Sequence, residues 1–218
     1  MTTARERSGG RRYSGLAAED RTRARRVAII DAALEEFGTT GFAATSVKQI
    51  CTAAGLTERY FYESFRDRQA CLTELYGTLV TELRAATAAA IAAADDTESA
   101  ILGGLTAFVE YLTDDPRRAR VILIEVVGVS PEVEELRHAV LRAFSDLIRS
   151  VWSTEQGVDV DDERTRLTAI ALSGAVNNLL VDWMMSGRQQ PPLVLAEVSA
   201  TLFVSALAGL VRTVRPPV

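Results

Sequence analysis

The 218-residue chain has one histidine, His138, and two cysteines, Cys51 and Cys71. A lone histidine without a nearby cysteine pair makes no metal motif, so no metal and no cofactor are expected. Both cysteines fall within helical apolar patterns and read as small buried hydrophobes rather than a disulfide. There is no Cys–His pair, no glycine-rich phosphate loop and no nucleophile elbow, so nothing points to an enzyme. No uninterrupted apolar run approaches the ~18 residues of a membrane span. The most apolar segment, 193–211, carries Glu197 and several hydroxyls, which suits a buried helix better. The first 25 residues are basic and lack the apolar stretch of a secretory signal. No membrane partner is expected, and the cytoplasm is the expected compartment. A period-2 strand pattern and an internal repeat are both missing.

What is present is charge asymmetry and helical periodicity. The net charge is −5, yet residues 1–26 hold eight arginines against three acidic residues. A basic front on an acidic body points to one end meeting a polyanion. Residues 1–21, with scattered Gly, Ser and Arg and no period, read as a disordered basic arm. Arg11 and Arg12 of that arm are candidates for a minor groove, with a merely solvated tail as the alternative. From Thr22, Val27, Ile30, Leu34 and Phe37 recur at helical spacing as far as Gly38. Ser46 followed by Gln49 is a capping box opening a short helix, ended by Ala54-Gly55. Long amphipathic helices fill the rest. The fold class is all-α, with about nine helices: residues 22–68 form a three-helix amino-terminal domain, and 69–213 a larger helical domain.

The stretch "LTERYFYESF" decides the reading of the first domain. Thr57 is an N-cap and Leu56 precedes Phe61 at the spacing of a hydrophobic staple. Phe61 and Phe65 then share one helical face, with Arg59, Tyr60, Tyr62 and Glu63 off it. Two short helices joined by a glycine turn make a helix-turn-helix, whose second helix enters the major groove. Arg59 offers a bidentate fork to guanine, and Tyr60 stands beside it. Glu58 is a possible acceptor from cytosine or a helix-dipole partner. Tyr62, Thr45 and Ser46 are placed for phosphates, and Lys48 and Thr57 complete the candidate set.

The segment "TSVKQICTAAGLTERYFYESFRDRQACL", residues 45–72, resembles the amino-terminal domain of the tetracycline-repressor (TetR) family of bacterial regulators. The likeness runs through Ser46-Val47, Ile50-Cys51, Ala54-Gly55-Leu56-Thr57, Tyr62-Glu63-Ser64-Phe65 and Asp67-Arg68. The preceding helix, with Phe37, Gly38 and Gly41-Phe42, fits the same frame. Three departures stand out: Arg59 replaces a common glycine, Ser64 the second tyrosine of a usual pair, and Arg68 a customary lysine. The resemblance implies a DNA operator as partner, a phosphate role for Arg68, a homodimer and an unidentified small-molecule effector.

The carboxy-terminal sequence is read from its own residues. In helix 162–186, Leu172, Val176, Leu179 and Trp183 form one apolar stripe. Leu167, Ile170, Gly174, Asn177, Val181 and Met184 form another. A helix with two apolar faces needs two partners. The first stripe, with Phe203, Ala206 and Leu210 of the last helix, is the expected dimer seam, and the second stripe is its alternative. Glu125, the sole charge between Arg120 and Glu132, and Asn177 are the polar candidates for a ligand site. Phe108, Tyr111, Phe144, Ile148 and Trp152 are its candidate walls, and a structural pair of Glu125 with Arg120 or Arg118 is the competing reading. The expected function is a repressor released from a palindromic operator by a mainly apolar effector. The alternative is a helical ligand-binding or protein-interaction module with a degenerate DNA-binding head.

Overall fold

The structure, a computed structural model, describes residues 9–214, with side chains from 19 to 211. Among these residues there are nine α-helices, one π-helical turn and no strand. The chain divides into two compact units between Leu75 and Tyr76, past the expected boundary at residue 68 and within one continuous helix.

The first unit contains α1 (Gly9–Thr39), α2 (Val47–Ala53), α3 (Glu58–Ser64) and the start of α4 (Arg68–Ala92). Helix α1 begins at Gly9, well before the expected Thr22 and inside the segment read as a disordered arm. Extending an existing helix avoids the nucleation cost, and Arg, Leu and Ala are strong helix formers. Residues 1–8 of that arm, and the side chains of Arg11 and Arg12, lie outside the described residues. Helices α1, α2 and α3 pack on one another around Ile29, Ala33, Phe37, Ile50 and Phe61, all fully buried. Both cysteines are free and buried, and burial pushes the Cys71 thiol up to about 12, which keeps it protonated and inert.

The second unit continues α4 and adds α5 (Thr97–Asp114), α6 (Pro116–Arg120), a π turn (Val121–Glu125), α7 (Pro131–Trp152), α8 (Glu163–Met185) and α9 (Pro192–Val214). The starts of α5 to α8 each have a visible cause. Asp96 accepts from the Ser99 amide, Asp115 from Arg117 with Pro116 at the first turn, Ser130 from Val133, and Asp162 from Arg164 and Thr165. Helix α5 packs on α9 and α7 on α8. Gly104 marks the close approach of α5 to α4: a Cβ there would lie 2.8 Å from the Ile91 side chain. By length and composition α8 and α9 could each cross a membrane, a test that core helices of soluble proteins also pass.

Candidate DNA interface and effector cavity

In the first unit, the turn before α2 and the α2–α3 turn set the position of α3. Ser46 caps α2 in a complete capping box: its Oγ accepts from the Gln49 amide at 3.2 Å, and its own amide donates to Gln49 Oε1 at 2.8 Å. Gly55 takes φ +66° in the turn, a left-handed conformation that suits glycine. Thr57 stands at the N-cap of α3, although its side chain makes no cap bond. Phe61 is fully buried and Phe65 nearly so, their ring centroids 5.6 Å apart. The divided set of aromatics is therefore as expected.

The outer face of α3 differs in detail. Arg59 has 82% of its side chain exposed and ion-pairs with Glu63 at 2.9 Å, one helical turn on. Tyr62 is 57% exposed, and Ser46, Lys48, Thr57 and Glu58 are exposed as well. Tyr60 is only half-exposed, because the Arg25 guanidinium lies 4.4 Å from its ring centroid. Two candidates are corrected outright. Thr45 is buried, and its hydroxyl donates to the Gly41 carbonyl at 2.8 Å, so it offers nothing to a phosphate. Arg68 donates to the carbonyls of Phe42 and Thr45 and stacks on the Phe42 ring, so it latches the turn before α2. The sequence reading also missed Arg26. It donates to both oxygens of Glu74 and to the Ser64 carbonyl, and lies over the Phe65 ring. Two adjacent arginines on a helix otherwise read as solvated charge, so only the packing of α3 and α4 could distinguish them.

In the second unit a cavity of about 100 Å³ lies among α4, α5, α7, α8, α9 and the π turn. Its wall is almost wholly apolar and includes Phe108, Phe144, Ile148, Trp152 and Asn177, five of the seven expected residues. Phe108 and Phe144 meet edge to face with centroids 5.2 Å apart. The other two candidates are elsewhere. Glu125 accepts from Arg120 Nε at 2.8 Å, which is the structural pairing weighed against a ligand role. Tyr111 donates to Glu82 at 2.7 Å under the Arg118 guanidinium, and burial together with that bond raises its phenol. Both polar groups are thus engaged with protein partners.

Other residues of the wall escaped the sequence reading. Tyr76, Val80, Leu83, Thr87 and Ile91 supply the α4 side, from a stripe that reads as plain core. Burial holds the Tyr76 phenol at about 12, so it faces the cavity as a neutral group. Arg137 is the one charged residue of the wall among those described, and it pairs with Glu134 at 2.9 Å.

The expected dimer seam needs correction. Leu172, Val176 and Trp183 of α8, and Phe203 and Leu210 of α9, are buried within the unit itself. Val176 and Phe203 line the cavity, and Trp183 Nε1 donates to the Gln190 carbonyl at 2.9 Å. Leu179 and Ala206 are half-buried. Of the second stripe, Leu167 and Ile170 are exposed, as are Leu193, Val194, Val198 and Leu202 of α9, whereas Asn177, Val181 and Met184 are half-buried.

These features agree with comparisons to known proteins. Residues 29–75 match the pattern of the bacterial regulatory proteins of the tetR family. The amino-terminal unit is thus similar to the tetR-family domain. The rest of this tetR-like chain shares its fold with solved regulators. FadR from Bacillus subtilis, solved with stearoyl-CoA, superposes with TM-score 0.73 at 19% identity, covering 83% of this chain and 98% of that one. FadR from Bacillus halodurans gives 0.70 at 22%, covering 85% and 96%. A putative transcriptional regulator from Pseudomonas aeruginosa PAO1 gives 0.73 at 19%, covering 88% and 95%. No curated protein matches the sequence. The chain therefore has a TetR-like fold.

Proposed function

We propose that this chain is a homodimeric transcriptional repressor, released from a near-palindromic operator by a mainly apolar effector. The observation that carries the reading is the pairing of an outward Arg59–Tyr62 face on a tetR-family domain with an apolar cavity in the second unit. Symmetric partners would place two α3 helices in successive major grooves. The exposed apolar faces of α8 and α9 support a second copy as the partner, since a four-helix seam would bury both. The likeness to a FadR solved with stearoyl-CoA supports an effector with a long apolar body. Effector binding weakens the operator complex to the extent that it prefers the released geometry.

Binding-site selection from random DNA tests the reading, because it reports both the activity and the half-site spacing. A palindromic consensus is the expected result, and no enrichment would leave the ligand-module alternative standing. On the selected site, Arg59→Ala should cost about 1–3 kcal/mol and broaden the consensus under α3. Tyr62→Phe should weaken all sequences alike and by less. Gel shifts in which Arg59→Ala binds like wild type would show that α3 does not read bases through this side chain.

A further inference from the structure

Helix α3 carries two carboxylates against one guanidinium, Glu58, Glu63 and Arg59, on a surface proposed to meet a polyanion. Glu58 has a local reason: it lies in the first turn, where a negative charge complements the helix dipole. Glu63 has none. It lies in the last turn, where that dipole disfavours a carboxylate. It also stands one turn after its cation, the weaker order for such a pair. An exposed pair of this kind adds little to stability, and a negative charge on a DNA-facing surface lowers affinity for phosphates. Where a local rule is broken without a gain in stability, function is the usual reason.

The geometry supplies that reason. Arg59 Nε donates to Glu63 Oε1 at 2.9 Å, and no other partner for the guanidinium stands among the described residues. The N–H groups of Nη1 and Nη2 are therefore uncommitted, on a side chain that is 82% exposed. Guanine presents O6 and N7 side by side, and a guanidinium can meet them through its Nη1–Nη2 end or through its Nε edge. With Nε held by Glu63, the edge is occupied and the end remains. The same bond restrains a long side chain whose free rotamers would also reach phosphates, contacts that carry no sequence information.

We infer that Glu63 is a positioning residue for Arg59: by holding Nε it presents the Nη1–Nη2 end to guanine and keeps the side chain off the phosphates. This rests on α3 being the recognition helix of the proposed repressor. Glu63 then lowers overall affinity for DNA and sharpens the preference among sequences, because specificity is a difference between affinities.

The test uses full-length protein, the operator obtained by binding-site selection, and a copy of it with one change per half-site. The base changed to adenine is the guanine whose preference is lost in Arg59→Ala. The ratio of the two affinities is measured for wild type, Glu63→Ala, Glu63→Gln, Arg59→Ala and the double variant Arg59→Ala/Glu63→Ala. Glu63→Ala is expected to lower the ratio about three- to tenfold per half-site, the range for one lost hydrogen bond. Its binding to random-sequence DNA should tighten and become more salt-dependent. Glu63→Gln keeps an acceptor oxygen within reach of Nε and should restore most of the ratio. In the Arg59→Ala background, removing Glu63 should leave the ratio unchanged, since nothing remains to be positioned. Both side chains are exposed, so all variants should melt with wild type. An unchanged ratio in Glu63→Ala, or an equal fall with and without Arg59, would overturn the positioning role and leave the repressor reading intact. A selected consensus with no guanine dependent on Arg59 would overturn it as well. Failure of the selection to return any site would remove the repressor reading and this inference with it.

Discussion

Phe61→Ala is expected to destabilise the amino-terminal unit by about 3–5 kcal/mol, the range for removing a buried aromatic ring. Phe61 has no exposed surface, meets Phe65 and Tyr62 at 5.6 and 5.5 Å, and is the one fully buried residue of α3. A seven-residue helix has no independent stability, so tertiary packing must hold it. Small domains are stable by only about 5–15 kcal/mol, so this loss consumes a large part of the total. The expected readouts are a thermal transition lowered in the full-length protein and weak operator binding at temperatures where wild type is folded. Tyr62→Phe is the control, since it should leave the melting curve in place. A Phe61→Ala protein melting with wild type would show that α3 is not held through this ring.

The second large effect concerns the outer face of α8 and α9. Val198→Asp is expected to convert the proposed dimer to monomer at micromolar concentration. Val198 is 47% exposed in the subunit and lies with Val194 and Leu202 on one face of α9; Leu167 and Ile170 are exposed on α8, as is Met185 at its end. A carboxylate enclosed there without a partner would cost about 3–5 kcal/mol, a loss of about a hundredfold or more in dimer affinity. Analytical ultracentrifugation gives the oligomeric state directly. Operator affinity should fall with it, because the second head no longer binds at high effective concentration. Phe203→Leu, a change inside the unit, should leave the oligomeric state unchanged. A Val198→Asp protein that sediments as a dimer would place the seam on another surface.

Much of this architecture was legible from periodicity and capping. The Ser46–Gln49 box, the Thr57 start of α3, the division of Phe61 and Phe65 from Tyr62, and the prolines opening α6 and α7 all follow from local chemistry. The cavity was partly legible, because aromatics on α5 and α7 recur at core spacing. Local rules could not determine which core residues border empty space, and so the α4 wall was missed. Helix α8 illustrates the limit best. Its two apolar stripes are equivalent in sequence, and only the packing of α7 and α9 decides which faces inward. For polar groups the limit is different. Thr45, Arg68, Glu125 and Tyr111 have side chains that suit a ligand, and each is engaged by a protein partner; those of Arg68 and Tyr111 lie 23 and 29 residues away, where the sequence does not place them nearby.

The Arg26 clamp has a mechanical consequence. One guanidinium grips Glu74 on α4 and the last carbonyl of α3, and covers the Phe65 ring that follows. Its own backbone belongs to α1, so three helices meet at a single planar group. Such a joint ties α3 to α1 and to the start of α4 like a rivet, so a tilt of α3 on its own would have to break these contacts. Stiffness of this kind sets the pitch of α3 before any DNA arrives, which lowers the ordering entropy that binding would otherwise cost.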